Sequence, residues 1–253
     1  MAKSYGQYIE ELNCAYREFY CNGVCKHFDE CSKGMESPKI KCDHATRVGK
    51  NYGKDGYPKV IVVGKESINK HESFVSPSLL DDASNEHYRK TLFTLALALK
   101  GDTPKGFGKH DLEEHKDLLT YFSLTNYYKC AFSDDPDKIS GLASNDRMKH
   151  NCYKLLLKEL EILEGDLVII QGKFTDKFFW NALNALYPCE NKAGKLIWKN
   201  QNGKIELYKH TMRERPFYIL YSYHPAGKGG WWMKTLDDLK MAILKFREEF
   251  NMK

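Results

Sequence analysis

The sequence predicts an α/β fold: a three-layer αβα sandwich around a four-stranded parallel sheet. Four short apolar runs recur along the chain: KVIVVG (59–64), YFSLTNYY (121–128), DLVIIQG (166–172) and FYILYSY (217–223). Segments with helical spacing of apolar residues separate them. Strands that are apolar on both faces belong to a parallel sheet covered by helices on two sides.

The elements follow in order. Residues 5–20 place Tyr8, Leu12, Ala15, Tyr16 and Phe19 at helical intervals. An irregular segment rich in cysteine, glycine and lysine then runs to Pro58, ahead of the first strand. Residues 86–99 (EHYRKTLFTLALAL) predict a helix, and 100–110 a loop before the second strand. The span 144–163 reads as a helix with Ser144 as cap and Leu155, Leu156, Leu160 and Leu163 on one side. After the third strand, TDKFFWNALNAL (175–186) predicts a helix capped by Thr175. In LIWKNQNGKIELYKH (196–210), the Asn202-Gly203 pair predicts a tight hairpin turn. The fourth strand follows, and KTLDDLKMAILKFREEF (234–250) closes the chain as an amphipathic helix. We expect one domain over 1–253, with 1–58 forming an N-terminal helix and a cysteine-rich segment.

Bulk composition narrows the functional classes. The 253 residues, 42 % of them apolar, suffice for one large α/β domain. No apolar run reaches the roughly 18 to 20 residues of a membrane span. Met1–Asn13 lacks a basic start followed by an apolar block, so a cytoplasmic protein with no secretory signal is expected. The net charge of +5, from 39 basic and 34 acidic residues, permits nucleic-acid binding without requiring it.

Eight cysteines stand at 14, 21, 25, 31, 42, 130, 152 and 189. In a reducing compartment, clustered cysteines more often ligate metal than form disulfides. Cys14 and Cys189 read as small buried apolar residues. Cys21, Cys25, Cys31 and Cys42 read as candidate ligands, with a four-cysteine structural zinc site as one option.

In parallel sheets the site lies beyond the carboxyl ends of the strands. Those ends are Gly64-Lys65-Glu66-Ser67, Thr125-Asn126, Gly172-Lys173 and His224-Pro225. His224, fixed by Pro225, is suited to donate a hydrogen bond; capping the sheet is its plainer use. The loop beyond it supplies Ala226, Gly227, Lys228 and Gly229, then two tryptophans. Glycine admits a ligand close to the backbone, lysine meets phosphate, and tryptophan wedges or stacks on bases. Asn126 carries donors and an acceptor in one plane, as a nucleobase edge does, although a lone Asn more often forms a turn. Glu66 could position water, or be an exposed loop carboxylate beside Lys65. Phe74, with Tyr88 as its rival, could stack on a planar ligand or simply pack in the core.

With these strand ends assembled, the sequence resembles the uracil-DNA glycosylase superfamily, and within it the iron–sulfur branch of family 4 and its neighbours. The matching stretches are VVGKES (62–67), SFVSPS (73–78), TNYYKC (125–130), SNDRMKHNCYKLLLKEL (144–160), LVIIQG (167–172) and HPA (224–226). The most specific parts are TNYYKC, the later Cys152 and HPA. The resemblance implies a DNA glycosylase that hydrolyses the N-glycosidic bond of a flipped uracil or modified base, in base-excision repair or in defence against modified DNA. Asn126 would read the base, His224 would donate to it, and Glu66 would orient water or stabilise the sugar cation. Gly64, Lys65, Ser67, Phe74 and Tyr88 would line the base slot. Ala226, Gly227, Lys228 and Gly229 would meet DNA. A [4Fe–4S] cluster would be held by Cys31, Cys42, Cys130 and Cys152, with Cys25 and Cys21 as rivals to Cys31. Tyr127 and Tyr128 would pack. The expected partner is single- or double-stranded DNA, with no membrane, and the expected state is a monomer.

The first motif departs from the family. Lys65 stands where the family has its carboxylate, Glu66 comes one residue late, and no Pro-Gly follows. This leaves open a protein of the same fold that binds DNA or senses damage without the chemistry. An unrelated nucleotide-binding α/β enzyme is a further option, but VVGKES lacks the G-x-G-x-x-G pattern.

Overall fold

The computed structural model describes residues 3–21, 24–33, 39–41, 46–64, 86–106, 110–127, 131–133, 146–172, 194–212, 214–223 and 231–252. The expected helix at 175–186, its cap Thr175, and Ser144 lie outside these residues.

Helix α1 (Tyr5–Phe19) starts from a reciprocal cap: Gln7 N–H donates to Ser4 Oγ at 3.3 Å, and Ser4 N–H to Gln7 Oε1 at 2.7 Å. Its buried face is Tyr8, Leu12, Ala15 and Phe19, as the spacing predicts. The segment expected to be irregular contains short ordered pieces: β1 (Tyr20–Cys21), β2 (Val24–Cys25), α2 (Phe28–Ser32), β3 (Lys39–Lys41) and β4 (Arg47–Val48). Such pieces lack the length at which periodicity shows.

The first long strand is β5 (Val60–Gly64), followed by α3 (Glu86–Leu95). The helix continues as a π-turn over Ala96–Lys100 and stops at Gly101, whose φ is +77°. A 3₁₀ segment, His110–Thr120, leads into β6 (Phe122–Asn126) and then β7 (Ala131–Ser133). The rest comprises α4 (Asp146–Leu163), β8 (Leu167–Gln171), β9 (Lys195–Lys199), β10 (Glu206–Met212), β11 (Arg215–Ser222), α5 (Trp231–Lys234) and α6 (Leu236–Glu249). Among the described residues, no helix is long and apolar enough to cross a membrane.

The main sheet has seven strands in the order β4-β6-β5-β8-β11-β10-β9. The four strands expected from the sequence form its contiguous parallel centre, β6-β5-β8-β11. The expectation of a four-stranded parallel sheet is therefore corrected. β4 pairs antiparallel on β6, and β10 and β9 add antiparallel beyond β11. The hairpin expected around Asn202-Gly203 joins this sheet: β10 docks on β11 over seven residue pairs and buries Leu207 and His210.

The connection is longer than the tight turn expected at Asn202-Gly203, running from Asn200 to Ile205. Asn200 organises it, its Oδ1 accepting from Lys204 N–H at 2.9 Å and Ile205 N–H at 3.1 Å. Gly203 takes a φ of +62°.

Alternation along each strand divides the core in two. Ile61, Val63, Val168, Ile170, Ile219 and Tyr221 face the layer of α1 and α4. Val60, Val62, Leu167, Ile169, Tyr218 and Leu220 face the layer of α3, the 3₁₀ segment and α6. Each central strand thus buries both faces, which is why its sequence shows no polar alternation. At the amino ends, Asp166 ties the strands together. It accepts from Lys59 N–H at 2.7 Å and from Arg215 at 3.1 Å.

Candidate functional site at the carboxyl rim

Register decides what meets at the carboxyl rim. Gly64 pairs with Asn126, and Ser222 with Gln171. Val63 pairs with Ile170, so Gly64 and Gln171 come level. Asn126, Gly64, Gln171 and Ser222 therefore form one row across four strands. At about 4.8 Å per strand, the row spans about 14 Å. The alternation that sends Val62 and Ile169 toward α3 sends this row there too. Gln171 confirms the direction: its Nε2 donates to Thr91 Oγ1 of α3 at 3.1 Å. β5 leads out to β6 on one side and β8 leads to β11 on the other, so their shared end is where the strand order reverses.

Gly64 is needed at this point for space. A Cβ placed there would stand 2.6 Å from Asn126 Oδ1, so the amide lies directly over the glycine. Tyr127 N–H donates to Gly64 O at 2.9 Å and locks the two strand ends together. Asn126 itself is half-buried at the rim. Tyr127 is fully buried among the residues facing α1 and α4, as a packing residue should be.

Behind Asn126, on the opposite face of β6, lies a buried polar network. Glu159 of α4 is 0 % exposed. It accepts from Thr125 Oγ1 at 2.8 Å and from the Tyr16 hydroxyl at 2.9 Å. Thr46 Oγ1 donates to Thr125 Oγ1 at 2.9 Å, and Thr46 N–H donates to the Tyr16 oxygen at 2.6 Å. Burial, and then the charge of Glu159, push the Tyr16 hydroxyl far above its ordinary range, so it stays protonated and remains a donor. The network ties α1, the segment before β4, and α4 to the residue preceding Asn126. Neither it nor Gln171 figured in the sequence reading. Gln171 had a visible signal, an amide closing an otherwise apolar run; Glu159 looked like any polar residue of a helix.

The cysteine-bearing segment sits against α4. Cys25, Cys31 and Cys152 are all buried. Cys31 Sγ accepts from Asn151 Nδ2 at 3.4 Å, and Asn151 also reaches Glu30 Oε2 at 3.1 Å. Cys25 Sγ accepts from His27 N–H at 3.4 Å. Burial pushes the Cys31 thiol up; the Asn151 hydrogen bond opposes this, and the nearby Cys25 and Glu30 add to it. β3 and β7 pair antiparallel with Lys41 opposite Ala131. The next residue after Lys41 is Cys42, and the one before Ala131 is Cys130.

Among the described residues, no group of three or more His, Cys, Asp or Glu side chains is set to hold a metal. Of the expected ligands, Cys42 and Cys130 lie outside those residues. So do Cys189 and the expected site residues Lys65, Glu66, Ser67, Phe74, His224, Ala226, Gly227, Lys228 and Gly229. Tyr88 stands in the first turn of α3. Cys14 corrects an expectation: it is exposed, because it falls on the outer side of α1, and it accepts from Arg17 at 3.0 Å.

Comparison of the sequence with protein-family models, and with curated proteins, finds no match.

Proposed function

We propose that the chain is a DNA glycosylase that hydrolyses the N-glycosidic bond of an extruded uracil or modified base at the carboxyl rim of its sheet. The observation that carries this reading is the Asn126 amide lying over Gly64 where the strand order reverses. There a planar donor–acceptor group stands half-buried at the end of a rigid strand, as readout of a base edge requires. The resemblance of TNYYKC and HPA to the iron–sulfur branch of the uracil-DNA glycosylase superfamily supplies the reaction class.

The chemistry required of the chain is mainly electrostatic. As the bond lengthens, negative charge grows on the departing base and positive charge on the sugar. His224, two residues beyond Ser222 in the chain, would donate to the base. Asn126 would select its edge, and Phe74 or Tyr88 would stack on it. Glu66 would orient the attacking water. Ala226, Gly227, Lys228 and Gly229 would enter the DNA.

The donor chemistry near α4 fits a [4Fe–4S] cluster. Buried thiols come from α2 (Cys31) and from α4 (Cys152), against which α2 packs, and the Asn151 amide donates to the Cys31 sulfur, as at a thiolate ligand. Cys31, Cys42, Cys130 and Cys152 would hold it, and it would brace the rim from the α4 side. Zinc on the N-terminal cysteines is the rival.

A second reading is favoured by Lys65 standing where the family has its carboxylate: a protein of the same fold that binds DNA without cleaving it. One panel decides between the two. The protein is incubated with oligonucleotides carrying uracil, hypoxanthine or modified cytosines, and alkali then cleaves any abasic site. Strand scission with one of these bases, lost in His224→Ala and Asn126→Ala, is the expected result. DNA binding with no abasic product from any base overturns the glycosylase reading. Metal analysis finding zinc without iron overturns the cluster.

A further inference from the structure

Helix α4 carries four exposed basic residues on one stripe: Arg147, His150, Lys154 and Lys158. Their spacings of three, four and four residues keep them within about 80° of the helix circumference and spread them over about 16 Å. The direction of α4 sets where this stripe lies. Glu159 meets Thr125 at the carboxyl end of β6, and the helix then descends to Glu164, which pairs with Lys59 at the amino end of β5. The helix residues before Glu159 therefore stand at or above the carboxyl rim, on the α1 side.

The neighbouring segment reinforces the charge. Burial, and after it Lys26, pushes the His27 imidazole below its usual range; Glu30 opposes this, and Lys154 of the stripe adds a smaller push. Arg147 donates to Lys33 O at 2.8 Å, which brings exposed Lys33 beside the stripe. The opposing carboxylates are Asp29 and Glu30 on α2, and Glu161 at the foot of α4. Glu30 is 3.8 Å from His27, and Glu161 is 3.6 Å from Lys158. No apolar side chain interrupts the four stripe positions, which sets the stripe apart from a protein-docking face.

We propose that this stripe binds the phosphate backbone of duplex DNA flanking the nucleotide presented at the rim. The proposal rests on the glycosylase reading only for the identity of the rim site. Charge complementarity selects the occupant: the cations Arg147, Lys154 and Lys158, with the His150 ring between them, span about 16 Å and match about five phosphates at 3.4 Å each. Contacts of this kind position DNA without reading its sequence.

The test uses the full-length protein and an undamaged fluorescein-labelled duplex, with binding followed by anisotropy between 50 and 300 mM salt. Lys154→Gln/Lys158→Gln removes two phosphate contacts from exposed positions, and circular dichroism checks that the fold is kept. The slope of log affinity against log salt is expected to fall by about 1.8, and affinity at 0.1 M salt by about 60-fold at full counterion release. A slope change of one or more supports the stripe; a smaller change overturns it, as does a wild-type protein that binds anionic lipid vesicles but not the duplex. Base excision is read separately: stripe-dependent duplex binding without excision would end the glycosylase reading alone, and excision with an unmoved slope would end the stripe alone.

Discussion

Replacing Glu159 probes how the rim is held. Its carboxylate accepts the hydroxyls of Thr125 and Tyr16 at 2.8 and 2.9 Å with no exposure to solvent. Glu159→Ala removes both acceptors and one buried methylene group. A hydrogen bond to a charged acceptor contributes about 1.5 to 3 kcal/mol, and a buried methylene about 0.8 kcal/mol. Allowing for partial relaxation of Thr125 toward Thr46, a loss of about 4 kcal/mol is expected. Glu159→Gln keeps the volume but sets an amide NH₂ against one hydroxyl, at a cost of about 1 to 2 kcal/mol. A chain of this size loses about 2 to 4 °C in Tm per kcal/mol. Thermal melts followed by circular dichroism should therefore fall by about 8 to 16 °C for Glu159→Ala, and by about 2 to 8 °C for Glu159→Gln. A double cycle with Tyr16→Phe should give a coupling above about 0.5 kcal/mol. A Glu159→Gln protein melting with the wild type, or a cycle that is merely additive, would refute the network.

Four further outcomes are expected. Gly64→Ala should leave Tm within about 3 °C, because the atom it meets is the movable end of Asn126, yet it should weaken base recognition by displacing that amide; unchanged excision would refute the role given to Asn126. Gly49→Ala should instead destabilise by about 3 kcal/mol or more in denaturant melts, since its Cβ would collide with the backbone oxygen of Thr120, which cannot turn aside as a side chain can. Buried His210 is held down to about 4 by burial, below its unfolded value near 6.5. The unfolded chain then binds the extra proton, so stability is complete above about pH 6.5 and falls by up to about 3 kcal/mol toward pH 4; a His210→Gln protein should show a flatter Tm–pH curve over that window. Arg247→Met should cost about 2 to 3 kcal/mol by Tm, because the buried guanidinium donates to the carbonyls of Ala98 and Leu99 at 3.2 Å where the π-turn ends.

The parallel centre of the sheet was legible because four branched apolar runs, each ended by Gly or a polar residue, have few other uses. Helices α1, α4 and α6 were legible from their buried stripes. The two-residue β4 was not, since a pair of residues carries no period. The docking of β10 was missed because its buried positions, Leu207 and His210, include a histidine that reads as polar. At the site, the strand-end residues Gly64 and Asn126 were identified and do meet. The acceptor behind them was hidden, because a buried Glu is recognisable only by the hydroxyls that surround it, and these come from Tyr16, Thr46 and Thr125, remote in the chain.

The pairing of strand ends has a consequence for how this chain can vary. Asn126 faces one layer and Thr125 the other, so adding or removing a single residue within β6 would exchange amide and hydroxyl between the two sides of the sheet. Length changes in the connections before Phe122 leave that parity untouched. Natural variants should therefore tolerate insertions between strands while keeping a five-residue count from Phe122 to Asn126.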